Sequence, residues 1–104
     1  MVRSGARLSG EVGDLMDVSL TGALLLMRSE VPVGGRHVLR IVVGAETLEL
    51  ECRAVRVRPV EHQHPAQWEV GVTFVDVTPE LRRAIPSMVA KLTATLEPRP
   101  RTRS

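Results

Sequence analysis

The sequence predicts an all-β fold, a small antiparallel β-barrel closed by a C-terminal α-helix. Three observations carry this. Short apolar segments recur with two-residue alternation, separated by Gly and Pro. One stretch near the C-terminus instead spaces its apolar residues as a helix does. The chain has 104 residues, enough for one domain with a modest core.

Leu8 to Val18 is a mixed segment with Gly10 and Gly13 inside it, so a strand there is kinked or bulged. Asp17-Val18-Ser19-Leu20-Thr21-Gly22 predicts a turn, since Asp and Ser bond nearby backbone and Gly22 accepts a positive φ. Ala23 to Arg28 is a buried strand, Pro32 to Gly35 a second turn, and Arg36 to Val43 a strand ended by Gly44-Ala45. Glu46 to Arg58 alternates most clearly, with Leu48, Leu50, Cys52 and Ala54 on one face. Its phase then slips by one residue near Val55, the mark of a β-bulge. Pro59 to Pro65 is a loop, and Trp68 to Val75 alternates again.

Thr78 is the expected N-cap of the one helix, with Pro79 in its first position and Glu80 in its first turn. Leu81, Ile85, Met88, Val89, Leu92 and Leu96 form its apolar stripe. Pro86 predicts a kink or two short pieces, and Pro98 ends the helix. Residues 1–96 form the expected domain, and 97–104 an Arg/Pro tail expected to be disordered.

Composition excludes several functions. The formal charge is +2, but Arg99, Arg101 and Arg103 lie in the tail, and the remaining body is neutral. That disfavours a phosphate-binding face for DNA or RNA. With Trp68 and Phe74 as the only aromatics, base stacking has little to work with, and Trp68 reads as a core or barrel-end anchor. Cys52 is the only cysteine and falls in the apolar register, so it reads as core. His62 and His64 lack a convincing third ligand and read as a solvated loop with no metal. No acid–base machinery accompanies Asp14 and Asp17, so no enzyme is expected. The longest apolar run, Ala23 to Met27, is too short to span a membrane, and no secretory signal is present, so a cytoplasmic location is expected.

Asp17, Ser19 and Gly22 fit a D/N-x-S-x-x-G turn. After it come Glu51 to Val57, then Val70-Gly71-Val72-Thr73-Phe74, then the helix. Before it stands Arg3-Ser4-Gly5-Ala6-Arg7, an R-x-x-x-R segment. This series, over roughly residues 10–92, resembles the PilZ domain family. The resemblance implies a six-stranded barrel that binds the second messenger cyclic di-GMP and signals to a protein partner in motility, attachment or exopolysaccharide control. It implies ligand contacts from Asp17, Ser19 and Gly22, with Arg3 and Arg7 on the phosphates. The chemistry is apt, since a carboxylate accepts from guanine N–H groups and arginine forks match phosphate.

Only residues 8–16 separate Arg7 from the turn, so the first barrel strand is expected to be missing or reduced. Either Arg3 and Arg7 serve in a compact variant, or the ligand arginines are lost. An incomplete barrel exposes a strand edge and favours a homodimer. The alternative function is a degenerate adaptor that binds protein but no nucleotide. Arg53, Arg56 and Arg58 are expected to be solvated or paired with Glu49 and Glu51. One of them reaches a ligand phosphate if its face adjoins the turn.

Overall fold

The computed structural model describes residues 5–62 and 65–95. Six strands precede one helix: β1 (Gly5–Leu8), β2 (Glu11–Val18), β3 (Gly22–Met27), β4 (Arg36–Val43), β5 (Glu46–Pro59), β6 (Trp68–Phe74) and α1 (Pro79–Thr95). All pairings are antiparallel, and the order β1-β2-β3-β6-β5-β4 closes on itself as a barrel.

Closure corrects the expectation of an open edge. β1, four residues long among the described residues, pairs with β2 on one side and with β4 on the other. The first strand is present. The ground for expecting a homodimer, an unpaired edge, is therefore removed. The structure differs from the sequence reading here because Ser9-Gly10 is not a kink within a longer strand. Both residues have positive φ, 50° and 87°, and they form the two-residue turn of a β1–β2 hairpin.

Alternation along each strand sends one side chain inward and the next outward. The interior holds Leu8, Leu15, Leu25, Met27, Leu39, Ile41, Leu50, Val70 and Val72 from all six strands. Each fully buried aliphatic side chain contributes about 1.5–3 kcal/mol. Two bulges break the register. One lies between Leu15 and Asp17, and the other, foreseen from the sequence, lies between Ala54 and Arg56. Each resets the phase so that the strand keeps its apolar residues inside.

The helix starts as its sequence predicts. Thr78 Oγ1 accepts a hydrogen bond from the Leu81 N–H at 3.2 Å. Ile85, Met88 and Leu92 are buried against the barrel core, with Leu81 and Val89 partly so. Leu96 lies outside the described residues, as does the Arg/Pro tail. Pro86 does not split the helix, which runs unbroken from Pro79 to Thr95. Pro86 sits on the exposed side, where solvent can serve the Arg82 carbonyl that its missing N–H leaves free.

Candidate functional site

The β2–β3 turn is tied at several points. The Ser19 N–H donates to the Gly22 carbonyl at 2.8 Å. The Ser19 hydroxyl oxygen accepts from the Thr21 N–H at 3.3 Å and the Gly22 N–H at 3.2 Å. The Thr21 carbonyl accepts from the Phe74 N–H at 2.9 Å, which anchors the turn to the end of β6. Asp17 Oδ1 accepts from the Val18 N–H at 2.9 Å, and the Asp17 carboxylate is exposed at the start of the turn.

Gly22 is needed for a reason other than the one its turn suggested. Its φ is not positive, and it is the first residue of β3. A Cβ there would overlap the Val72 carbonyl oxygen of the adjacent strand. Glycine therefore permits close β3–β6 approach beneath the turn.

Asp17, Ser19, Thr21, Gly22, Leu24 and Thr73 line an open concavity of about 360 Å³ on the outside of the barrel. The three turn residues singled out in the sequence are thus brought together. Arg7 is not among the residues lining this concavity. It pairs with Val12, about 15 Å along β2 from Asp17, and its guanidinium donates to the Gly10 carbonyl at 3.2 Å. Arg3 lies outside the described residues. β1 runs antiparallel to β2, and its first residue, Gly5, stands opposite Asp14, so the N-terminal end of β1 is the end nearer the turn.

The outer face next to the turn carries cations. Directly paired residues on neighbouring strands share a face. One row runs Asp17, Leu24, Gly71, Arg56 across β2, β3, β6 and β5. The adjacent row runs Gly22, Thr73, Arg53, Arg36 across β3, β6, β5 and β4. The sequence offered Glu49 and Glu51 as partners for the β5 arginines, but β4 takes both. Arg40 bonds Glu49 through Nε at 2.9 Å, and Arg36 bonds Glu51 at 2.6 Å and also Asp76. The hydrogen bond that Arg36 donates to Asp76, followed by that to Glu51, raises the Arg36 pKa above its ordinary value. Arg58 pairs with Glu69 at 2.7 Å. Arg53 and Arg56 have no ion pair among the described residues.

A second cavity of about 500 Å³ lies between the turn and the helix, lined by Leu20, Thr21, Thr73, Phe74, Arg82 and Ile85. It shares Thr21 and Thr73 with the first.

The other sequence candidates find ordinary places. Trp68 is partly buried against the core at the start of β6. Cys52 is fully buried, and desolvation pushes its thiol up to about 11. His62 is exposed, with Nε2 3.9 Å from Glu61, and His64 lies outside the described residues. Among the described residues no three His, Cys, Asp or Glu gather as a metal site, and no helix is long and apolar enough to cross a membrane.

Comparison with known proteins agrees with this geometry. No curated protein matches the sequence. Among solved structures, the fold is similar to the PilZ domain with c-di-GMP of YcgR from Escherichia coli. The TM-score is 0.68 at 17% identity, covering 88% of this chain and 81% of that one. It is also similar to YcgR of Escherichia coli in complex with c-di-GMP, with a TM-score of 0.69 at 16% identity. There it covers 89% of this chain but only 42% of the larger protein. The PilZ domain pattern itself matches residues 2–91, nearly the whole length over which the barrel and helix are built, and the chain belongs to the PilZ domain family.

Proposed function

We propose that this chain is a non-enzymatic effector that binds cyclic di-GMP at the β2–β3 turn. The observation that carries the reading is the complete Asp17, Ser19, Gly22 turn, folded beside an open concavity with the Asp17 carboxylate facing solvent. Asp17 accepts from the guanine N1–H and N2–H₂ groups, and Ser19 keeps the turn in shape for that contact. Arg3 and Arg7 supply phosphate contacts from the N-terminal segment, with Arg3 contributing more because Arg7 is fixed in β1. Ordering of that segment over the ligand changes a surface read by a protein partner, in the cytoplasm, in control of motility, attachment or exopolysaccharide. The solved relatives named above hold c-di-GMP, which supports the choice of ligand.

One observation favours a second reading, an adaptor that binds no nucleotide. Ser19 and Gly22 both have structural work at this turn, through the hydroxyl bonds and the close approach to Val72. Isothermal titration with cyclic di-GMP separates the two readings. The effector gives micromolar binding, weakened about a hundredfold in Asp17→Ala, strongly in Arg3→Ala and less in Arg7→Ala. Absence of heat from a chain that is folded by circular dichroism leaves the adaptor.

A further inference from the structure

The pairing register brings Arg53 and Arg56 to the same outer face as the turn, although more than 30 residues of sequence lie between them and Asp17. Arg56 shares its row with Asp17, and Arg53 shares its row with Gly22. β5 lies two strand spacings from β3, about 10 Å, with only β6 between. Beyond Leu24 the surface is low, since Gly71 has no side chain and Thr73 is small. A Cβ at Gly71 would meet nothing closer than the Arg56 Cβ at 3.6 Å. The face thus carries an acid, Asp17, on β2 and two arginines on β5, three strand spacings or about 14 Å apart, and the concavity at the turn extends as far as Thr73 between them.

The charges on the β5 side are unbalanced. Arg53 stands directly opposite Arg36 in the β4–β5 register, and like charges in that position repel. Glu51 and Asp76 neutralise Arg36, whereas Arg53 has no such partner among the described residues. Arg56 follows the bulge at Val55, which turns its side chain outward beside Gly71. Two guanidinium groups on rigid strands, within one face and with no ion pair among the described residues, are preorganised for a dianionic ligand.

We infer that Arg53 and Arg56 form a second phosphate-binding bank, so that a cyclic dinucleotide lies across β3 and β6 with a guanine edge at Asp17 and a phosphodiester at β5. This rests on the proposed binding of cyclic di-GMP. It adds that the barrel wall itself, and not only the N-terminal segment, holds the phosphates. Gly71 is then the saddle over which the ligand passes.

The test is titration of cyclic di-GMP into the full chain and into Arg53→Ala, Arg56→Ala, Gly71→Val and Arg58→Ala, with circular dichroism on each. Expected are about tenfold losses of affinity for Arg53→Ala and Arg56→Ala, as for a lost charge-assisted hydrogen bond. Gly71→Val stays folded and loses affinity by obstruction. Arg58→Ala, whose guanidinium is held by Glu69, binds as the unaltered chain does. Binding by the unaltered chain that is insensitive to the Arg53, Arg56 and Gly71 changes overturns this inference and leaves the turn as the site. Equal losses in Arg58→Ala also overturn it, because the effect is then a general field. No binding by the folded, unaltered chain overturns this inference and the proposed function together.

Discussion

Two outer faces of the same barrel treat charge in opposite ways. Across β4 and β5, the first half of β5 presents Glu49 and Glu51 to arginines placed directly or diagonally opposite, and the pairs Arg40–Glu49 and Arg36–Glu51 result. Across β3, β6 and the second half of β5, the outward residues nearest the turn are Gly22, Leu24, Gly71 and Thr73, bordered by Arg53 and Arg56, while farther from the turn Arg58 pairs with Glu69. The first face is satisfied by its own residues. The second, at its end nearest the turn, leaves two arginines without ion pairs among the described residues. One continuous strand contributes to both, so secondary structure does not distinguish them. Register does, because it decides which cation meets a carboxylate and which meets a glycine or a threonine.

The largest effect that breaks the comparison is steric. Gly22→Ala sets a Cβ into the Val72 carbonyl, against the backbone of β6 with little room to yield. A loss of about 3 kcal/mol is expected, or roughly 10 °C or more in Tm, measured by thermal denaturation. Glycine to alanine at the open Gly71 is expected to be near neutral by the same measurement, which sharpens the distinction between a glycine that packs and one that clears space.

The interior beneath the two faces offers an intermediate effect. Cys52 is buried where the satisfied half of β5 gives way to the other, and its thiol titrates near 11 when folded against 9.0 as the ordinary value. The folded state therefore keeps its proton when the unfolded chain loses it. The contribution is fully present below pH 9 and is lost as pH rises towards 11, by up to about 3 kcal/mol. Denaturant titrations across that window are expected to fall steeply for the unaltered chain and less steeply for Cys52→Ala. Aromatic disulfide reagents at neutral pH are expected to modify Cys52 only on unfolding.

The smallest effect belongs to the satisfied face. Arg40→Ala removes an exposed ion pair and is expected to change stability by less than about 1 kcal/mol. Its affinity for cyclic di-GMP is expected to stay within twofold of the unaltered chain by titration calorimetry. A larger loss would show that the two faces act as one electrostatic surface.

Much of the fold is legible in the sequence because it is written in local alternation. The inward set Leu48, Leu50, Cys52, Ala54 and the slip at Val55 both appear in the barrel as read, as does the Thr78 cap. β1 was harder to see, since only Ala6 and Leu8 of its four residues face inward. Four residues are too few to establish a period. The Ser9-Gly10 hairpin is not distinguishable by sequence because the same residues also fit a bulge. At the site, Asp17, Ser19 and Gly22 are close in the chain and could be grouped by inspection. The reason for Gly22 could not, because it depends on Val72, a residue of the neighbouring strand. The placement of Arg53 and Arg56 beside the turn likewise needs the order β3-β6-β5, which no local pattern encodes.

The closed ring also bears on how the chain is made. β1 leaves the ribosome first but lacks its second neighbour until β4 has followed, since Leu8 pairs with Leu39. β3 waits longer, because its outer partner is β6, at Trp68–Phe74. A growing chain thus carries unpaired edges through most of its synthesis, and no half-barrel along the way is complete. Closure falls late, and pairings of such long sequence separation fold slowly, in milliseconds to seconds. For this protein the hazardous interval for edge-to-edge association is the time before β6 emerges.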